Sequence, residues 1–122
     1  FDGGVSDPIP VEKALADGCD HVFLILTKPI DFVKKPEMFK SAYTKVLKNY
    51  PAVIKKLNIR HETYNNGIKK ALELSKEGKV TIIAPDDGYS VTAFTKNIRE
   101  LNHLYNEGYI KAGEILKNKG YL

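Results

Sequence analysis

The apolar positions of this chain fall into two kinds of run. Val22-Phe23-Leu24-Ile25-Leu26 and Val80-Thr81-Ile82-Ile83-Ala84 are short and almost unbroken. Continuous apolarity over so few residues reads as a strand buried on both faces, as in a central parallel strand covered by helices. The first strand is expected over Asp20 to Leu26 and the second over Lys79 to Pro85, where proline ends it.

Everywhere else the apolar spacing is helical. Pro10 to Gly18 predicts a short helix, with proline in the first turn and glycine closing it. From Pro36 a second helix carries Met38, Phe39, Ala42, Tyr43, Val46, Leu47 and Tyr50 in one stripe, which predicts a core-facing side. Pro51 interrupts it and starts a short helix to Leu57. After a turn around Asn58 a further helical run reaches Glu77, with Tyr64, Ile68, Ala71, Leu72 and Ser75 inward and Gly78 as its stop. The last helix starts near Asn97, where Asn97 and Glu100 resemble a capping pair, and buries Ile98, Leu101, Leu104, Tyr105, Ala112, Ile115 and Leu116. Helices alternating with buried strands make an α/β layer structure. Two strands alone do not make a stable parallel sheet, so most of the sheet is expected outside this chain.

Composition changes this picture little. At 43% hydrophobic and 28% charged, the 122 residues are ordinary for one soluble domain or part of one. The net charge of +4 is spread along helices, not clustered with aromatics, and so argues against nucleic acid. Cys19 is the only cysteine, so no internal disulfide forms. A lone thiol beside an apolar strand is expected to be buried and inert. No apolar run approaches the roughly 20 residues that span a bilayer. The chain starts at Phe1 and its only methionine is Met38, so it is expected to be part of a longer protein.

The candidate chemistry lies at the start, in Asp2-Gly3-Gly4. An aspartate before two glycines can be held on a tight turn with its carboxylate outward, while the glycines let another segment approach closely. The turn runs into a helix and then a buried strand, and ligands of doubly wound sheets sit at the carboxyl ends of the strands.

Asp2-Gly3-Gly4-Val5-Ser6-Asp7-Pro8-Ile9-Pro10-Val11 resembles the second catalytic motif of patatin-like phospholipases, with Phe1 ending the strand before it. Ala16-Asp17-Gly18, Leu26-Thr27-Lys28-Pro29, Arg60-His61-Glu62-Thr63-Tyr64-Asn65, the Val80 to Pro85 strand and Leu104-Tyr105-Asn106-Glu107-Gly108-Tyr109 follow in order and look like bacterial members of that family. The resemblance implies that residues 1–122 are the C-terminal part of a single three-layer α/β/α hydrolase domain with a mainly parallel sheet. It further implies a cytoplasmic serine lipid acyl hydrolase that uses a Ser–Asp dyad and no cofactor. Asp2 would be the catalytic carboxylate, with Gly3 and Gly4 shaping the loop. The partners implied are a lipid or other acyl ester and the N-terminal remainder of the protein. A free carboxylate, with a pKa of about 3.9, is a poor base at neutral pH, and burial would improve it.

The serine is not here. No Gly-X-Ser-X-Gly and no glycine-rich oxyanion loop occur, and Ser6, Ser41, Ser75 and Ser90 all lack the elbow. These residues alone are therefore expected to be inactive. The competing reading is a non-catalytic ligand-binding or regulatory α/β module that keeps the loop without the chemistry. A nucleotide-binding domain is disfavoured, since neither a phosphate-binding loop nor Gly-X-Gly-X-X-Gly appears. His61 is expected to pack on its helix, His21, His103 and Cys19 have no metal-ligand spacing, and Asp86-Asp87-Gly88 reads as a plain turn. A lipid hydrolase has to reach its substrate, which raises peripheral membrane contact by the lysine-rich stretch Lys34 to Lys56. Its apolar side is assigned to the core, so the lysines are expected to be solvated.

Overall fold

The computed structural model describes residues 2–38, 40–86, 91–92 and 94–121. The expectations resting on Phe1, Phe39, Asp87, Gly88 and Ser90 lie outside these residues. The elements are α1 (Val11–Ala16), β1 (Val22–Ile25), α2 (Lys40–Val46), α3 (Pro51–Lys76), β2 (Val80–Ile83) and α4 (Ile98–Asn118). Two compact units divide the chain, Phe1–Val22 with Val33–Val80, and Phe23–Phe32 with Thr81–Leu122.

β1 and β2 form a two-stranded sheet. The Val22 N–H donates to Lys79 O at 3.0 Å and the Leu26 N–H to Ile83 O at 2.8 Å. Both strands therefore advance together, and the pairing is parallel. β2 is buried as expected, through Val80, Thr81 and Ile83. β1 is not, because Phe23 and Ile25 on alternate positions are exposed, Ile25 at 71%. Its apolar run is continuous, but only one face is covered. The α/β class stands; these two strands are all the sheet among the described residues.

In the first unit α3 is the organising element. It is one helix of 26 residues, so no turn occurs at Asn58. The polar residue that suggested a break instead accepts the Tyr43 hydroxyl at 2.7 Å from within the helix. Gly67 does not weaken α3 without return either: a Cβ there would lie 2.7 Å from Ile9 Cβ, so the glycine makes the seat into which buried Ile9 packs. Ile9, Val11, Ile68, Ala71, Leu74 and Val80 are this unit's buried apolar residues. Leu72, expected inward, is exposed and Leu74 takes the buried place. Gly18 and Gly78 follow α1 and α3 with φ of 98° and 77°, the left-handed conformation that lets the chain leave a helix at a glycine.

The helix expected from Pro36 begins only at Lys40 and is short. Its Tyr43 and Leu47 are half-buried, whereas Met38, Val46 and Tyr50 are exposed, so the predicted core-facing stripe is only partly realised. In the second unit α4 behaves similarly. Leu104, Ala112, Ile115 and Leu116 are half-buried, but Ile98, Leu101 and Tyr105 are exposed. The Asn97 cap forms as expected, with its side chain accepting the Arg99 N–H at 3.1 Å and donating to Glu100 Oε1 at 2.9 Å. Cys19 is exposed, contrary to expectation. Among the described residues no helix is long and apolar enough to cross a membrane.

Candidate functional site

Asp2 opens a single 3-10 turn, Gly3–Val5, from an extended backbone with φ −62° and ψ 138°. Its Oδ1 accepts the Gly4 N–H at 2.6 Å, the usual way for a short acidic side chain to satisfy a free donor at such a start. Val5 N–H to Asp2 O and Ser6 N–H to Gly3 O, each 3.0 Å, close the turn. Oδ2 takes no hydrogen bond among the described residues. The residue is exposed, so the burial expected to improve it as a base is not supplied by these residues.

The two glycines differ in their reasons. Neither has a positive φ. A Cβ on Gly4 would come 2.9 Å from Asp2 Oδ1 and 3.4 Å from Arg60 Nη2, so a side chain there displaces the carboxylate or the guanidinium. A Cβ on Gly3 would meet nothing within 4 Å, which leaves that side of the turn open. Ser6 is not a nucleophile held for Asp2, because its hydroxyl donates to Gly3 O at 3.0 Å.

α3 fixes this turn from beneath. Arg60 Nε donates to Gly4 O at 2.9 Å, and Nη1 lies 3.6 Å from Glu37 Oε1. Lys34 Nζ approaches the same oxygen at 3.5 Å. One helical turn further on, Asn65 grips the backbone of Lys34 from both sides, accepting its N–H at 2.9 Å and donating to its carbonyl at 3.0 Å. Both Arg60 and Asn65 lie in a run noted only for its resemblance. Nothing local in the sequence marks either as a clamp, since their partners lie 56 and 31 positions away.

The second unit holds a cavity of about 330 Å³ just beyond the carboxyl ends of both strands. Ile25, Leu26, Ile83, Ala84 and Pro85 form one side, and Leu104, Tyr105, Gly108, Tyr109 and Ala112 of α4 the other. Thr27, Glu107 and Lys111 supply the polar part of the lining. Glu107 Oε1 accepts the Asp86 N–H at 2.7 Å, while Oε2 is buried without a hydrogen bond among the described residues. Lys111 Nζ donates to Ala84 O at 2.8 Å and meets Asp86 Oδ1 at 2.5 Å. Asp86 is thus tied to α4. No group of three or more metal-ligating side chains occurs among the described residues. His61 is half-buried on α3 with Nε2 3.7 Å from Glu62 Oε1, a packed helical histidine as expected.

A family model described as "Domain of unknown function (DUF6363)" matches residues 50–119, which contain α3, β2 and α4 but not the Asp2 turn. No curated protein and no solved structure matches the chain. The match overturns the resemblance to patatin-like phospholipases, which is a different family. The runs that carried it are a turn, a helix end, a strand exit, a strand and two helix interiors, short segments that recur in unrelated folds. Arg60 and the α4 side of the cavity fall inside the matched segment, and on that match the chain belongs to the DUF6363 family.

Proposed function

We propose that Asp2 is the carboxylate of a Ser–Asp pair that hydrolyses acyl esters, lipids among them, with the serine supplied by a segment outside these residues. The observation that carries the reading is the exposed Asp2 carboxylate, pinned through Oδ1 while Oδ2 stays unengaged, beside the open face at Gly3. A carboxylate held in this way can take the proton of a serine hydroxyl as that oxygen attacks an ester carbonyl. The segment that brings the serine would also exclude the water that now reaches Asp2. The reading carries a larger, mainly parallel sheet in three α/β/α layers within a cytoplasmic protein, and the uncovered apolar residues of β1 support such an extension. Asp2→Asn in the full-length protein is expected to abolish ester turnover with the thermal midpoint unchanged. Near-normal turnover by that variant, or turnover by residues 1–122 alone, overturns the reading.

A second reading is favoured by the cavity of the second unit. Its walls are apolar, it sits at strand carboxyl ends, and it fits a non-catalytic module that holds a small apolar ligand. The full-length sequence discriminates: a Gly-X-Ser-X-Gly elbow favours the hydrolase, and its replacement favours the module.

A further inference from the structure

Between Met38 and His61 the chain contains no aspartate or glutamate, but five lysines, Lys40, Lys45, Lys48, Lys55 and Lys56, all exposed. Lys35, just before, is exposed as well. The nearest acidic residue, Glu37, already faces Lys34 and Arg60. Tyr43, Leu47, Val53, Ile54 and Leu57 among these cations are half-buried, but three other large apolar side chains are exposed. Met38 is 87% and Val46 78% exposed, and Tyr50 stands out beside them. α2 spends its inward side on α3, through the Tyr43 hydroxyl and Asn58. Lys45 lies on the side away from Tyr43, while Val46, one turn on from Tyr43, lies at the rim of the inward side and is exposed there, as is Lys48 after the helix.

Cations alone are explained as a solvated helix face, and single exposed apolar residues need no explanation. The two interleaved on one short segment, whose one acidic residue Glu37 is engaged by Lys34 and Arg60, are the composition of a surface that lies on anionic lipid. Lysines draw the segment toward the negative interface, and Met, Val and Tyr side chains enter the headgroup boundary. We propose that the segment from Lys35 to Lys56 docks on an anionic bilayer surface, with Met38, Val46 and Tyr50 as the inserting residues. A nucleic acid would also meet the lysines, but this surface offers Tyr50 as its one exposed aromatic among the described residues and gives Met38 and Val46 nothing to do. The inference stands independently of the hydrolase reading.

The test is co-sedimentation of the full-length protein with vesicles of phosphatidylcholine alone or with 30% phosphatidylserine. Binding is expected only with the anionic lipid, and it should weaken as salt is raised. Lys45→Gln/Lys48→Gln is expected to lower the partition constant by at least roughly tenfold, since each lysine near the surface is worth a factor of about five. Met38→Ser/Val46→Ser should reduce binding without changing its salt dependence. All four side chains are exposed, and an unchanged circular dichroism melt confirms that the variants fold. Asp2→Asn should bind as the parent does, so a failed hydrolase reading leaves this result intact. Equal binding to neutral vesicles, binding unchanged in both double variants, tighter binding to a single-stranded oligonucleotide, or self-association lost in Met38→Ser/Val46→Ser each overturns the proposal.

Discussion

Arg60 Nε donates to the carbonyl oxygen of Gly4 at 2.9 Å, so the middle of α3 holds the residue whose own N–H holds the Asp2 carboxylate. Gly4 is fixed at both of its backbone polar groups. Arg60→Ala releases the carbonyl side and leaves Glu37 facing Lys34 alone. The guanidinium is partly exposed, so the cost is placed at about 1–2 kcal/mol, below the middle of the range for a hydrogen bond to a charged group. Arg60→Lys should not restore it, because an ammonium cannot meet Gly4 O and Glu37 with one planar fork. Urea unfolding of the parent and both variants measures this. Equal midpoints for all three would show that the clamp contributes nothing.

Gly67→Ala inverts the usual helix rule. In an open helix position the change stabilises by up to about 1 kcal/mol. Here the new Cβ would fall 2.7 Å from Ile9 Cβ, so α3 and the segment before α1 must part. The variant is expected to lose about 1–3 kcal/mol, the range for an overfilled contact. In the Ile9→Ala background the clash is eased, and the same substitution should cost much less. A double-mutant cycle by chemical denaturation gives the coupling directly.

Tyr64, half-buried on α3, has its phenol pushed above the ordinary value of 10.0 by burial. The folded state favours the neutral phenol over the phenolate more than the unfolded chain does. Its contribution is therefore fully present below about pH 10 and is lost as pH rises through the raised value. Ultraviolet titration of the tyrosines should show one late component that disappears in Tyr64→Phe. In that variant the fall of stability above pH 10 should be shallower.

What could be read from the sequence follows from what is local. α1 with its Gly18 stop, β2 and the Asn97 cap depend on neighbours within a few residues, and all three form as expected. β1 was legible as a strand but not in its burial. An apolar run reports the cover a strand needs, and the described residues supply that cover on one face only. The same logic misleads at Met38 and Val46, whose helical spacing implied a core that these residues do not provide. Asn58 reads as a turn between two helical runs, and its bond to Tyr43, fifteen positions away, cannot be seen from the sequence. At the candidate site Asp2 was legible because a turn declares itself in three residues. Arg60 and Asn65 were not, since their partners Gly4 and Lys34 lie 56 and 31 positions away and are brought near only by the packing of the unit.

The parallel pairing of β1 with β2 has a consequence for the order of folding. Val22 and Lys79 join only after the whole intervening chain has been gathered, and the entropy of closing so long a loop opposes early contact. α3 lies within that span and is built from local bonds, so it can form first and shorten the path between the strand partners. The sheet is then the late event and the helix its scaffold. Because Arg60 and Gly67 both act on α3, variants at either site report on the half of the molecule that has to be in place before the strands can meet.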